Sequence, residues 1–325
     1  MARAIELART VRRLTSPNPW VGSVVVDRDG TVVGEGATSP PGGAHAEAVA
    51  LEIAGPRSLG GTCYTTLEPC VSYGRTPPCV GAIVAAGIRR VVVALTDPDE
   101  KVQGRGIAAL RDSGIEVESG VLGEPAGELL RPYLVHRRTL RPYVVLKLAA
   151  TVDGRIAAPD GTSKWITGAA ARADVQELRA DSDAILVGAG TVRADDPELK
   201  ARTEPPPPRQ PLRVVLGRAG ATARVHPCLE LSGDVRGVLD ELGRLGVIQL
   251  LVEGGASVAK QLHQRCLVDR YAIYMTAGLL GGDDGRAMFS GAGAQTIAAL
   301  WRGHLVSLER FGDDIRLDVV PAEHR

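Results

Sequence analysis

From residue 21 to residue 121 the chain alternates short β-branched runs with helical segments, and most segments end at a glycine or begin at a proline. "VGSVVVD" and "TVVGEG" flank Arg28, Asp29 and Gly30, which predicts a hairpin. "HAEAVALEIAG" is helical and stops at Gly55, "TCYTT" is a short strand, and "PCVGAIVAAG" is a helix opened by proline and closed by Gly87. "RRVVVAL", "RGIAALRDSG" and "IEVESGV" continue strand, helix, strand, and "EPAGELLRPYLVHRR" ends the series as a longer helix. Such alternation predicts an α/β layered fold with a partly parallel sheet.

A second α/β series starts at "RPYVVLKLAAT" and runs through "AILVGAG", "LRVVLG", "IQLLVEGG" and "RYAIYMTAG" to a strand-rich tail. The two series share no repeated pattern, so two unlike domains are expected, 1–140 and 141–325, within the 325 residues. "EPPPPRQP", residues 204–211, has to be extended and reads as an exposed loop.

Composition narrows the functions open to such a chain. Lys plus Arg equals Asp plus Glu, 38 each, which argues against a protein that binds nucleic-acid backbone. No apolar run is long enough for a membrane span and the N-terminus lacks a signal-peptide pattern, so a cytoplasmic enzyme with no membrane partner is expected. Five cysteines in a reducing compartment disfavour a disulfide framework.

Two of those cysteines, Cys70 and Cys79, each follow a proline, and His45 and Glu47 stand upstream at a helix start. Residues two apart diverge inside a helix, but in its first turn both can look off the end of the axis. Cys79 also opens a helix, where the positive end favours thiolate. One imidazole and two thiolates leave a tetrahedral position open, as in a catalytic zinc site. Zinc acidifies a bound water from about 15.7 towards about 7. Glu47, not a ligand, is then the proton carrier. This is the division of labour of zinc-dependent ring deamination. Eight residues separate the cysteines where the common deaminase pattern has two. Arg75, within that insertion, is a candidate for a substrate phosphate. Cys63, Cys228 and Cys266 have no partner at a recognised spacing and read as inert thiols, and neither His226 nor His263 shows a metal-binding neighbourhood.

In the second half, "LLVEGGASVAKQL" is a strand, a double glycine and a helix, and "VGAGTVRADDP" is a second strand with a glycine-rich exit. Two such exits at strand ends suit a dinucleotide cleft.

"TSPNPWVG", "HAEAVAL" and "LEPCVSYGRTPPC" together resemble the bifunctional deaminase–reductase family of riboflavin biosynthesis. The likeness continues through "DGRIA", "SKWITG", "ARADVQELRA", "DAILVGAGTVRADDP", "QPLRVVLG" and "LLVEGGASVA". It implies an N-terminal cytidine-deaminase-like three-layer domain with a mixed sheet and a C-terminal dihydrofolate-reductase-like domain. The implied reactions are hydrolytic deamination of 2,5-diamino-6-ribosylamino-4(3H)-pyrimidinone 5′-phosphate, then NADPH-dependent reduction of its ribosyl group to ribityl. The implied cofactors are one Zn2+ per chain and NADPH. The implied partners are this small pyrimidine nucleotide and further copies of the chain, as a homo-oligomer (dimer or tetramer).

Residue by residue, the resemblance places Asn18 on the deaminase substrate. It places Ala149, Trp165, Thr191, Asp195, Gly255, Ala256, Ser257, Val258, Ala259, Lys260 and Gln261 on NADPH. Ser163, Arg179, Leu199, Arg202 and Glu253 fall at its reductase-substrate positions. Ser72 and Thr38 stand where histidines are usual in the family, and residues 217–234 are short. Three rival readings carry different tests: a nucleic-acid deaminase with an accessory domain, a paralogue acting on a related pyrimidine- or pteridine-like metabolite, and a zinc-stabilised assembly protein.

Overall fold

The computed structural model describes residues 1–74 and 76–322. The chain divides into two compact units, Met1–Arg141 and a second beginning at Pro142.

The first unit is built on a five-stranded sheet. Its strands are β1 (Gly22–Val26), β2 (Val32–Ala37), β3 (Thr62–Thr65), β4 (Arg90–Val93) and β5 (Glu116–Ser119), in the order β2-β1-β3-β4-β5. β1 runs antiparallel to β2 and β3, while β3, β4 and β5 are parallel, so the sheet is mixed. The helices are α1 (Ala2–Thr10), α2 (Ala46–Ala54), α3 (Cys79–Ala85), α4 (Arg105–Asp112) and α5 (Gly123–Thr139). Val25, Cys63, Val91 and Val93 face α2, α3 and α4 in one core. Ile5 of α1 and Ala126 of α5 pack with Ala94 in another. Helices therefore cover both faces, in three layers.

The seat of α2 decides where the site lies. Gly34 and Gly36 alternate along β2 and so share a face, and Ala46, Ala50 and Ala54 recur every four residues on α2 and so share a stripe. The two stripes meet at backbone distance. A Cβ on Gly36 would lie 2.2 Å from the Ala46 carbonyl oxygen, and one on Gly34 2.0 Å from that of Ala50. No side chain fits there, and the residue just before Ala46 is His45.

The second unit carries an eight-stranded sheet. Along the chain come β6 (Tyr143–Thr151), β7 (Arg155–Ala157), α6 (Ala169–Ala180), β8 (Ala184–Gly188), α7 (Ala189–Asp195), β9 (Leu212–Leu216), β10 (Leu229–Leu231) and α8 (Val235–Arg244). They are followed by β11 (Gln249–Val252), α9 (Ala256–Gln264), β12 (Arg270–Thr276), β13 (Arg286–Ala287), β14 (Gly303–Phe311) and β15 (Asp314–Pro321). The sheet order is β10-β9-β8-β11-β6-β12-β15-β14; β14 and β15 join antiparallel and the other pairs are parallel. β11 is wholly buried and reads "QLLV", as a central parallel strand should. Residues 204–211 form no regular element and are mostly exposed, as their prolines require. No helix among the described residues is long and apolar enough to cross a membrane.

Gly36→Ala forces α2 away from β2. Overpacking of this kind costs about 1–3 kcal/mol. Denaturant unfolding of the variant is expected to show that loss in the first unit, with the second unit's transition unmoved.

Candidate functional site

In the first unit three donors converge where the seat of α2 puts them. His45 is the N-cap of α2, and Cys79 is the first residue of α3. Cys70 lies on the loop between β3 and α3. His45 Nδ1 is 3.5 Å from Cys70 Sγ and 3.3 Å from Cys79 Sγ, and all three donor atoms lie within 4.8 Å of one another. A tetrahedral zinc with bonds near 2.0–2.1 Å to nitrogen and near 2.3 Å to sulfur separates the two donors by about 3.6 Å. The donor set therefore fits zinc in both chemistry and spacing. The other ring nitrogen, Nε2, lies 3.4 Å from Thr76 Oγ1, which leaves Nδ1 as the ligand.

The thiols are already prepared for a cation. Hydrogen bonds with the Cys79 thiol and with His45 hold Cys70 down to about 4, against a rise from burial. The same contact with Cys70, together with burial, pushes Cys79 up. The Cys79 amide adds a hydrogen bond to Cys70 Sγ at 3.3 Å. Glu47 is 3% exposed, with Oε2 3.5 Å from Cys79 Sγ and Oε1 3.5 Å from Thr65 Oγ1. Burial raises its carboxyl above the ordinary range, the direction a proton carrier needs. Beside the donors opens a cavity of about 430 Å³ lined by His45, Ala48, Tyr73, Thr76, Pro77 and Cys79, among others. Arg75 lies outside the described residues. Asn18 is half-buried in a turn before β1, its amide bonded to the Thr15 carbonyl at 2.8 Å. The Thr38 hydroxyl serves the backbone, accepting from the Val21 amide at 3.1 Å.

One residue that sequence reasoning passed over holds this centre together. Glu68 is 4% exposed and accepts four backbone N–H groups. They come from Asp97 at 3.2 Å, Gly104 at 3.0 Å, Gly106 at 2.8 Å and Ile107 at 3.1 Å. A carboxylate two residues before Cys70 thus caps α4 from outside and anchors the metal-bearing loop. A Cβ on Gly106 would lie 2.1 Å from the Pro69 carbonyl oxygen, so the two segments touch at the backbone. The sequence signal was present in "LEPC", an acid inside an otherwise apolar stretch.

In the second unit, Arg179 of α6 and Glu253, just after β11, form a half-buried bidentate pair, Nε–Oε1 2.6 Å and Nη2–Oε2 2.9 Å. Arg179 also donates to the Lys200 carbonyl at 3.0 Å, next to Leu199, which is 2% exposed. Burial alone would raise Glu253, but Arg179 and Lys147 outweigh it and hold its carboxyl below the usual range. Lys147 interrupts the apolar run of β6, and burial pushes its ammonium down. It was missed in the sequence, although a lysine inside "YVVLKLAAT" is itself a signal. Arg202 is exposed and pairs with Glu198.

Ser163 and Trp165 line a cavity of about 310 Å³ with Thr151, Thr276, Leu279 and Leu280. Trp165 is 71% exposed with the Arg172 guanidinium 4.5 Å from its ring, which excludes a core role. Asp153 holds one rim of this cavity by accepting from Gly281 N at 2.8 Å. Ala149 is in β6, Thr191 and Asp195 are in α7, and Gly255 caps α9, which carries Ala256, Ser257, Val258, Ala259, Lys260 and Gln261. Thr191 Oγ1 lies 3.6 Å from where a Gly255 Cβ would be, so the two glycine-rich exits do meet. Ala256, Val258 and Ala259 are buried, with Val258 and Ala259 in the main core. Contacts from these positions to a dinucleotide would run through the backbone and through Ser257, Lys260 and Gln261.

Two family descriptions match the chain. Residues 1–95 match the cytidine and deoxycytidylate deaminase zinc-binding region, and residues 142–317 match the RibD C-terminal domain. The riboflavin biosynthesis protein RibD of Escherichia coli K12 is 38% identical over 363 residues, spanning 99% of this chain and 98% of that protein. Among solved structures, Acinetobacter baumannii RibD, form 1, superposes with a TM-score of 0.93 at 39% identity, covering 99% of this chain and 98% of that one. The Thermotoga maritima diaminohydroxyphosphoribosylaminopyrimidine deaminase/5-amino-6-(5-phosphoribosylamino)uracil reductase gives 0.90 at 34%, covering 99% and 97%.

Removing the Glu68 carboxylate leaves four amides without their charged acceptor, and hydrogen bonds to a charged group contribute about 1.5–3 kcal/mol each. With water replacing part of this, Glu68→Ala is expected to destabilise the first unit by on the order of 3 kcal/mol and to speed zinc loss. Denaturant unfolding and metal release to a chelator measure the two effects.

Proposed function

The chain belongs to the bifunctional riboflavin-biosynthesis deaminase–reductase family, and from that premise we propose how its two units divide the work. The protein deaminates 2,5-diamino-6-ribosylamino-4(3H)-pyrimidinone 5′-phosphate hydrolytically. It then reduces the ribosyl group of the product to ribityl with NADPH. The readings as a nucleic-acid deaminase or as a paralogue with another substrate are not favoured, because the likeness runs through both halves of the chain.

We assign deamination to Met1–Arg141 and reduction to the unit beginning at Pro142. The observation that carries the first assignment is the separation of His45 Nδ1 from the two sulfurs, with Glu47 buried beside them. His45, Cys70 and Cys79 would hold the zinc, which would supply Lewis acidity and acidify a water. Glu47 takes a proton from the attacking water and gives it to the ring nitrogen, then takes the second proton from the hydroxyl left on carbon and gives it to the departing amine, which leaves as ammonia. The cavity lined by Ala48, Tyr73 and Pro77 takes the pyrimidine. The family likeness assigns Asn18 to the same nucleotide, and Arg75 is the candidate for its phosphate.

In the second unit NADPH supplies the hydride, and the chain supplies position and charge. Ala149, Trp165, Thr191, Asp195 and residues 255–261 hold the dinucleotide. Ser163, Leu199 and Arg202 hold the substrate with the Arg179–Glu253 pair, and Arg202 is the exposed cation suited to a phosphate. We further propose, from the family alone, that the enzyme works in the cytoplasm as a homo-oligomer.

Incubating the purified protein with the diaminopyrimidine phosphate, with and without NADPH, follows ammonia and the ribityl product separately. Glu47→Gln keeps the ligands and the shape. It is expected to lower deamination by about 10²–10⁴-fold with zinc content and reductase activity unchanged, and undiminished ammonia release would overturn the assignment.

The two arginines should separate. Arg179→Ala leaves the half-buried Glu253 carboxylate without its bidentate partner, a loss of about 1.5–3 kcal/mol, visible in unfolding of the second unit. Arg202→Ala changes stability by less than about 0.5 kcal/mol and instead raises the reductase KM for the phosphorylated substrate.

A further inference from the structure

Away from the deaminase centre, three other metal donors converge. His226, Cys228 and Glu230 lie on the segment that runs into β10, with a cis bond between His226 and Pro227 at its start. Their donor atoms lie within 4.8 Å of one another. His226 Nδ1 is 3.5 Å from Cys228 Sγ, the same separation as between His45 and Cys70. The sequence reading of His226 as lacking a metal-binding neighbourhood, and of Cys228 as having no partner, is corrected by this geometry.

Two devices orient the donors. His226 Nε2 is 3.0 Å from the Gly220 carbonyl oxygen, which can only accept. The proton therefore sits on Nε2, and the Nδ1 lone pair faces the thiol. Glu230 Oε1 accepts from the Ala219 amide at 2.8 Å and Oε2 from Arg218 Nη1 at 2.9 Å. A carboxylate has about four lone-pair sites, so both oxygens keep a free one. These are the outer bonds that fix a ligand's direction before metal arrives. The nearby cations oppose binding only weakly. Arg218 is 90% exposed and solvated, and Arg213 is bonded to the His226 carbonyl rather than to a donor atom. Cys228 thiolate and Glu230 together match a divalent charge.

We propose that His226, Cys228 and Glu230 form a second cation site, which ties residues 217–227 to the edge strand β10. An imidazole, a thiolate and one carboxylate select a borderline transition-metal ion of the zinc class over magnesium or calcium, which take oxygen ligands. On coordination Cys228 releases its proton to solvent. The site is independent of the deaminase centre and of its assignment.

The test compares the intact chain with Cys228→Ala and His226→Ala. Each is equilibrated with buffered free zinc, dialysed and assayed for metal by atomic emission. Cobalt replaces zinc in a parallel series to report thiolate coordination by its charge-transfer band. Two zinc ions per wild-type chain are expected and one per variant chain, with part of the cobalt band lost in Cys228→Ala. NADPH-dependent reduction, which needs a folded second unit, should be unchanged in both variants. A zinc content, or a cobalt band, that neither Cys228→Ala nor His226→Ala lowers below that of the wild-type chain overturns the proposal, and a wild-type content of one that falls to zero in both variants upholds it and counts against the deaminase centre instead.

Discussion

The deaminase centre depends on a backbone contact that no side chain makes. Gly34 and Gly36 let α2 settle onto β2 at a distance where a Cβ would overlap a carbonyl oxygen. That contact fixes the first turn of α2, and with it His45 and Glu47. The opposing half of the site, Cys70 and Cys79, hangs on a loop and on the start of a short helix. Loops of this kind move unless something ties them. Glu68 supplies the tie by taking four amides from the segment around α4. The separations of 3.5 and 3.3 Å between His45 and the two sulfurs follow from those two constraints together.

Electrostatics then does different work in the two units. Around the candidate metal donors, hydrogen bonding between the two cysteines pulls the Cys70 thiol down and, with burial, pushes the Cys79 thiol up. In the second unit the half-buried Arg179–Glu253 pair feels the charge of Lys147, and the three charges constrain one another. Pairs of this kind contribute little net stability, because desolvation offsets attraction. They hold charge and geometry in place, as a site that orients an anionic substrate requires.

Much of the fold was legible in short segments. The hairpin at Arg28–Gly30, the helix stop at Gly55, the proline start of α3 and the apolar run of β11 each follow from local chemistry, and each is where it was expected. The convergence of His45, Cys70 and Cys79 could be anticipated because their residue types and order are specific. The reductase half was legible through resemblance more than through physics. There, a stretch assigned as a unit, residues 255–261, divides into side chains that face the core and side chains that do not. Helical periodicity separates them, and a contiguous assignment cannot.

By itself the sequence determined the alternation of elements and singled out one imidazole and two cysteine sulfurs as candidate metal donors. Each of these rests on neighbours along the chain or on residue types found in few other settings. Tertiary structure alone decided that Arg179 is bonded to Glu253, that Glu68 caps a distant helix, and that His226, Cys228 and Glu230 share a point in space. Arg179 and Glu253 are 74 positions apart, and Glu68 and Gly106 are 38 apart. Partners so distant are chosen by how helices seat on sheets, and that seating is set by many weak contacts acting together rather than by any local run of residues.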